Sequence, residues 1–271
     1  MLKIAQFDAV TRIDSARTIA GRGYYWSTAY LVDGLLIDTG CAYSGGQMLQ
    51  ALDGFHLNTV FNTHSHEDHI GANGALQRQR DNLPIYVHPL AIPVLSEPRK
   101  NQPLELYRRV LWGWPQPSSG SPVADNQLIE TENFKFRVIY TPGHSPDHCC
   151  LYEQDRGWLF SGDLFVGGKD RALAAGYDIW RIIAALKMIQ KLPLSWLFPG
   201  CARVRENPAQ ELADKIAYLE ETGANVLKLH GQGFSVKEIS SRLFGGPMLI
   251  EWITAGNFSR RRLVEAYLKP N

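Results

Sequence analysis

His64-x-His66-x-Asp68-His69 places three of the chain's eight histidines within six residues, with the Asp68 carboxylate among them. Imidazole and carboxylate are the donor types that zinc and related divalent ions take. In an extended segment residues 64 and 66 project to the same side, because side chains alternate. A turn after them lets Asp68 and His69 face a second point nearby. That arrangement suits two neighbouring metal ions rather than one, and metal-assisted hydrolysis is the chemistry such sites perform. His56, His88 and His230 have no convergent partners in sequence and read as surface or core residues.

These residues need strands and helices to hold them. NTVFNT is a short apolar strand and GANGALQRQR a helical pattern, so His64 to His69 lie in a strand-to-helix loop, where binding and catalytic side chains concentrate. Upstream, AYLVDG and LLIDTG form a hairpin about Asp33-Gly34, and SGGQMLQAL reads as a helix. PIYVHP, FKFRVIYTPG, CCLYEQ, GWLFSGD and SWLFPG supply further strands. PLAIPVL through Tyr107–Trp112 is a helical or irregular insertion. DIWRIIAALKMIQKL has the apolar spacing of an amphipathic helix. NPAQELADKIAYLEET is a helix with Pro208 at its start. Cys149-Cys150 sits at an apolar strand start, where packing is the expected role. Trp112 and Trp114 beside Tyr107 either line a pocket wall or seal the insertion onto the body.

Composition narrows the class. With 45% hydrophobic residues and a net charge of +1, the chain has material for a core and no global electrostatic signature of a nucleic-acid or membrane binder. Disorder is excluded as a description of the whole. No run approaches the length of a membrane-spanning helix. Neither the first residues, MLKIAQFDAV, nor the four scattered cysteines suggest export, so the expectation is a cytoplasmic protein with reduced thiols. The charge is uneven: residues 223–271 carry seven basic and three acidic side chains, a local +4 that leaves −3 for the rest. Ser235 and Glu238 form a capping-box pattern there. Two units are therefore expected, a catalytic domain over 1–222 and a small basic helical appendage over 223–271. GxSxG and GxxxxGK[ST] patterns are both missing, which leaves serine-hydrolase and P-loop readings without support.

THSHEDH, then TPGHSPDH with His144, then SGDLF with Asp163, together with LIDTG and FPG, resemble the metallo-β-lactamase superfamily in order and style, over roughly residues 1–222. The resemblance implies an α/β fold of the αββα type: two sheets face to face, helices outside, and the metal site at one edge. Carried over residue by residue, it implies His64, His66 and His144 on a first metal and Asp68 and His69 on a second, with Asp163 bridging. It also implies one or two Zn2+ ions, iron and manganese remaining open. Asp68 would orient the nucleophile, accept its proton or bind the second ion. Asp38, at a strand end, would fix the ligand loops, and His148 would hydrogen-bond a nearby loop. Where the family usually has Pro-Gly-His, this chain has Pro199-Gly200-Cys201. Either Cys201 ligates the second ion as a thiolate, at the ~2.3 Å that zinc accepts, or it is a small apolar filler and the second site is weak.

The expected activity is hydrolysis of an ester- or thioester-like small molecule, the compact core and GHSPDH resembling glyoxalase-II-like thioesterases. The alternative is a lactamase-like single-stranded RNA endonuclease or phosphodiesterase, which the basic tail would serve. A non-catalytic metal-binding relative is the third reading, encouraged by Cys201 and opposed by Asp68. A small molecule is the expected partner, nucleic acid the less favoured one and a membrane none. The tail could serve as a lid or as a homodimer contact.

Overall fold

A computed structural model describes residues 1–81 and 83–269. The N-terminal half builds a seven-stranded sheet in chain order: β1 (Leu2–Phe7), β2 (Val10–Ile19), β3 (Arg22–Val32), β4 (Leu35–Ile37), β5 (Thr59–Phe61), β6 (Ile85–Val87) and β7 (Ser121–Pro122). The first four pair antiparallel and the last four parallel. Parallel pairs need crossovers, and these are helices: α1 (Gly45–Ala51), α2 (Asn73–Gln79), and the insertion's α3 (Ile92–Ser96), α4 (Pro98–Asn101) and α5 (Leu106–Leu111). The Asp33-Gly34 turn between β3 and β4 has both residues at positive φ, 48° and 78°. That is the geometry for which a two-residue hairpin selects Asp-Gly.

The second sheet contains β8 (Leu128–Glu130), β9 (Lys135–Tyr140), β10 (Cys149–Glu153), β11 (Trp158–Gly162), β13 (Trp196–Pro199) and β14 (Arg205–Glu206), in the order β14-β13-β11-β10-β9-β8. A two-stranded ribbon pairs β12 (Leu173–Ala174) with β15 (Phe258–Ser259). The helices on this side are α6 (Ile179–Gln190), α7 (Ala209–Gly231), α8 (Val236–Phe244), α9 (Leu249–Ile253) and α10 (Arg260–Leu268).

Three apolar layers hold the stack together. Tyr30, Ile37 and Phe61 from the first sheet meet Phe136, Phe160 and Phe198 from the second. Met48 of α1, Leu52 just after it and Leu76 of α2 cover the outer face of the first sheet. Ile182, Ile183, Leu186 and Ile189 of α6, with Leu212, Ile216 and Leu219 of α7, cover the second. The result is the expected αββα order. Cys149 lies in the middle layer and Cys150 in the outer one, both fully buried as packing groups.

The C-terminal residues share that last layer. Ile239 of α8 and Leu263, Val264 and Tyr267 of α10 are buried in the cluster that contains α6 and α7. Helix α7 runs unbroken from Ala209 to Gly231, so the expected boundary at 222/223 falls inside a helix. The Ser235–Glu238 capping box forms at the start of α8. Among the described residues no helix is long and apolar enough to cross a membrane.

Candidate metal centre

The site sits where strand ends collect at one rim. Strand β4 leads to Asp38, β5 to the loop Thr63–His69, β9 to His144, β11 to Asp163 and β13 to Cys201. Strands β4 and β5 are parallel, as are β11 and β13, and β9 shares the direction of β11 because β10 is antiparallel to both. Three hydrogen bonds tie the two sheets at this rim. Thr28 N donates to the Gly200 carbonyl at 2.7 Å, Tyr30 Oη to the Pro199 carbonyl at 2.7 Å, and Cys149 N to the Thr63 carbonyl at 2.7 Å.

His66 Nδ1 lies 3.0 Å from His64 Nε2 and 3.0 Å from His144 Nε2. One proton on His66 cannot serve both contacts, whereas one cation among the three nitrogens would serve all of them. Local hydrogen bonding also points His64 correctly for this. Thr63 Oγ1 donates to Asp38 Oδ2 at 2.8 Å, so it accepts from His64 Nδ1 at 3.1 Å and leaves Nε2 with its lone pair inward. Burial drives the His64 and His66 pKa values well below the usual range and that of His144 to about 4, reinforced for His64 by the surrounding rings. All three are neutral at pH 7, the form a metal needs.

A second set joins His64, His69 and Asp163, whose ligand atoms lie within 4.8 Å of one another. His69 Nδ1 donates to Asp38 Oδ2 at 2.7 Å, which turns Nε2 toward Asp163 Oδ1 at 3.6 Å and Asp68 Oδ2 at 3.8 Å. Both His69 Nε2 and Asp163 Oδ1 are buried without a hydrogen-bond partner. Two orphaned buried atoms facing each other are what a cation-binding gap leaves. Burial pushes the His69 pKa down, but Asp38, Asp68 and Asp163 together lift it well above the usual value. Asp163 is held low against its burial by His69. Burial, with Glu67 and Asp163 adding to it, raises Asp68 to about 7.

A supporting layer fixes these loops. His148 accepts a bond from Asp163 N at 3.2 Å and pairs through Nδ1 with Thr141 Oγ1 at 2.8 Å, so it shapes the Asp163 loop. Asp147 Oδ2 accepts from Ser65 N at 2.8 Å, and Asp38 Oδ1 from Thr63 N at 2.8 Å. At Gly200 a Cβ would stand 2.7 Å from both Asp163 Oδ1 and His69 Cε1, so only glycine lets the two approach.

The sequence-derived residues divide accordingly. His64, His66 and His144 converge, and His69 and Asp163 join His64. Asp68 and Cys201 line the same cavity but belong to neither set. Burial, with Asp163 and Asp68 beside it, pushes the Cys201 thiol well above its usual pKa. His56 and His230 are exposed, while His88 stacks on Tyr140 with ring centroids 4.6 Å apart.

The cavity over the site encloses about 360 Å³. Tyr25, Tyr107, Trp112 and Tyr177 form aromatic walls, and Ile250, Thr254 and Phe258 of the C-terminal residues close another side. Trp114 does not reach it and lies beneath Arg99 and Arg109 instead. Sequence reasoning missed three features. Tyr177, with its ring 4.4 Å from that of His144, has no motif around it. The Glu67–Arg108 pair, with Nε to Oε1 at 2.7 Å, joins residues 41 apart. Asp147 did carry a signal, since it adjoins His148 within GHSPDH.

A family model described as the metallo-beta-lactamase superfamily matches residues 27–201. An atrochrysone carboxyl ACP thioesterase of Aspergillus fumigatus is 28% identical over 186 residues, covering 67% of this chain and 51% of that protein. A hydroxyacylglutathione hydrolase of Legionella pneumophila is 28% identical over 138 residues, covering 51% and 44%. The chain thus spans about half the length of these curated relatives. Among solved structures, the metallo-beta-lactamase family protein TTHA1429 from Thermus thermophilus has a TM-score of 0.68 at 19% identity, over 97% of this chain and 93% of that one. The protein TTHA1623, in a di-iron-bound form, has a TM-score of 0.55 at 30% identity over 68% and 91%.

Proposed function

This chain belongs to the metallo-β-lactamase superfamily, and from that premise we propose that it is a metal-dependent hydrolase of small-molecule esters or thioesters, with zinc as its metal. The observation that carries the reading is the meeting of three neutral imidazoles, two buried and the third, His66, half-buried and lining an aromatic-walled cavity. His64, His66 and His144 would hold a first ion, and His69 and Asp163 a second, with Asp68 and Cys201 beside them. Bound there, metal supplies a Lewis acid and a source of nucleophilic hydroxide at neutral pH.

The chain's own residues do the rest. Asp38 holds the His69 ring with Nε2 toward Asp163, and His148 holds the Asp163 loop. Asp68, on the cavity lining beside both sets, would take a proton from the attacking water and return it to the leaving group. Tyr177 lines the cavity with its Oη 3.4 Å from His144 Nε2. The walls favour a neutral or apolar acyl group. Among the described residues the cavity's one cationic side chain is Arg108, already held by Glu67 and Glu105, so the lining offers no free cation to the charge of a phosphodiester. The relatives named as thioesterase and hydroxyacylglutathione hydrolase support the same substrate class.

The test is hydrolysis of acyl-thioesters by zinc-loaded protein beside a short single-stranded RNA. Turnover of the thioester that Asp68→Ala abolishes while the first metal stays bound supports the proposal. RNA cleavage without thioester turnover would replace it.

A further inference from the structure

A second cavity, of about 650 Å³, opens in the C-terminal residues away from the histidine cluster. Its lining carries Lys237, Arg260, Arg261 and Arg262 against two carboxylates, Glu251 and Glu265. Both carboxylates are engaged. Glu265 pairs with Arg262 at 3.0 Å, and Glu251 Oε1 accepts from the backbone N of Met248 at 3.3 Å and of Arg260 at 3.4 Å. Arg260 donates to the Gly246 carbonyl while its Nε is buried without a partner. Among the described residues, the side chains of Lys237 and Arg261 have no ion-pair or hydrogen-bond partner and are exposed. The cavity therefore has uncompensated positive charge aimed at whatever enters it.

Two further features narrow the ligand. Trp252, on the wall, is 75% exposed, a large planar apolar surface that a folded protein ordinarily covers. Gly246 and Gly256 leave open space where other residues would place a Cβ, so a ligand can approach the backbone. Guanidinium and ammonium groups recognise phosphate, and an exposed indole offers a stacking face for a planar base. The volume falls in the range of small-molecule sites. We infer that this cavity binds a phosphorylated nucleoside, its phosphates on Arg261 and Lys237 and its base on Trp252.

The position adds a structural consequence. Ile250 and Thr254 of α9 and the turn after it line the cavity over the histidine cluster, whereas Glu251, Trp252 and Ala255 line the second one. Residues four apart share a helix face, so α9 is the common wall between the two. The inference does not depend on the hydrolase proposal, because binding is measured without turnover.

The experiment is calorimetric titration of the full chain with ADP, with pyrophosphate and with a short single-stranded oligonucleotide. Arg261→Glu, Lys237→Glu and Trp252→Ala are run beside it; all three side chains are exposed, so the variants keep the fold. ADP and pyrophosphate should both bind, Arg261→Glu and Lys237→Glu should each weaken both by roughly tenfold or more, and Trp252→Ala should weaken ADP but not pyrophosphate. A stronger response to the oligonucleotide than to ADP identifies the source as a nucleic-acid end, and an equal or weaker one as a free nucleotide or nucleotide-bearing cofactor. The inference fails if neither ADP nor pyrophosphate binds at about 1 mM, or if the charge-reversing variants bind as the unaltered chain does.

Discussion

Asp38 Oδ2 accepts a hydrogen bond from His69 Nδ1 at 2.7 Å, and the same carboxylate accepts from both the backbone and the hydroxyl of Thr63. One buried side chain thereby sets the orientation of the His69 ring directly and the tautomer of His64 through Thr63. It does so from a left-handed conformation, φ 61°, which aspartate and asparagine tolerate better than most residues.

Asp38→Asn tests that relationship with little change in shape. Asn can still accept from Thr63 N, but its amide hydrogens would face His69 Nδ1 and favour the tautomer with the proton on Nε2. The second metal position should then lose affinity by roughly 10- to 100-fold while the first is less affected. Metal content after dialysis against graded chelator reads this directly. Equal loss at both positions would mean that Asp38 supports the loop as a whole rather than His69.

Metal uptake should displace protons unequally. His64, His66 and His144 are neutral at pH 7 because burial depresses them, so filling the first position releases none from these rings. His69 is raised and carries a proton at pH 7, so filling the second releases one. If Cys201, a thiol at that pH, becomes a ligand, a further proton leaves. Calorimetry of zinc binding in buffers of different ionisation enthalpy counts them. Cys201→Ala should then remove one proton from the second step and lower zinc affinity; an unchanged count and affinity would make Cys201 a packing group.

Acid should destabilise the metal-free protein in a defined window. His148 is depressed to about 3 and His144 to about 4 by burial, against 6.5 when unfolded. A depressed histidine leaves the unfolded chain binding more protons below pH 6.5, so stability present above that pH is lost as pH falls toward the folded values. Each such group contributes a slope of up to about 1.4 kcal/mol per pH unit. Urea midpoints between pH 6.5 and 4.5 should fall steeply, and His148→Gln should flatten the fall by about one group's share. An unchanged slope would show that His148 is not held neutral.

How much of this was legible in sequence depended on range. The Asp33-Gly34 hairpin, the α6 stripe and the Ser235–Glu238 box are local patterns, and each stands where the sequence places it. The αββα order came through the resemblance, because no local period tells which face of a sheet meets another. Strand β1, exposed over most of its length, has no apolar alternation to betray it. The HxHxDH loop announces itself, yet the position of Tyr177 beside His144 depends on a loop following β12. The 1–222 boundary followed a change in charge, and charge on the outer face of a helix does not report what its inner face packs against. Tyr267 and Leu263 show this, being buried in the α6–α7 layer beneath three exposed or half-exposed arginines.

The Glu67–Arg108 pair offers a last prediction that separates structure from chemistry. Glu67 is fully buried directly beside Asp68, and Arg108 of α5 reaches across to bond it through Nε and Nη2. Arg108→Ala would leave a buried carboxylate without its cation, a loss of about 3–5 kcal/mol for a fully buried pair, and less here because Arg108 keeps some contact with solvent. Glu67→Gln keeps the shape and removes the charge, so on its own it strands a guanidinium that can still turn to Glu105 or water, and its cost should be the smaller. The double variant should recover much of what Arg108→Ala loses, since no buried charge remains. Thermal melts of the four proteins check the order. The same series carries a functional readout: removing Glu67 takes away one of the charges that raise Asp68, so the lower limb of the pH–rate profile for thioester hydrolysis should move to lower pH in Glu67→Gln. A profile that does not move would mean that Asp68 is not the group titrating in that limb.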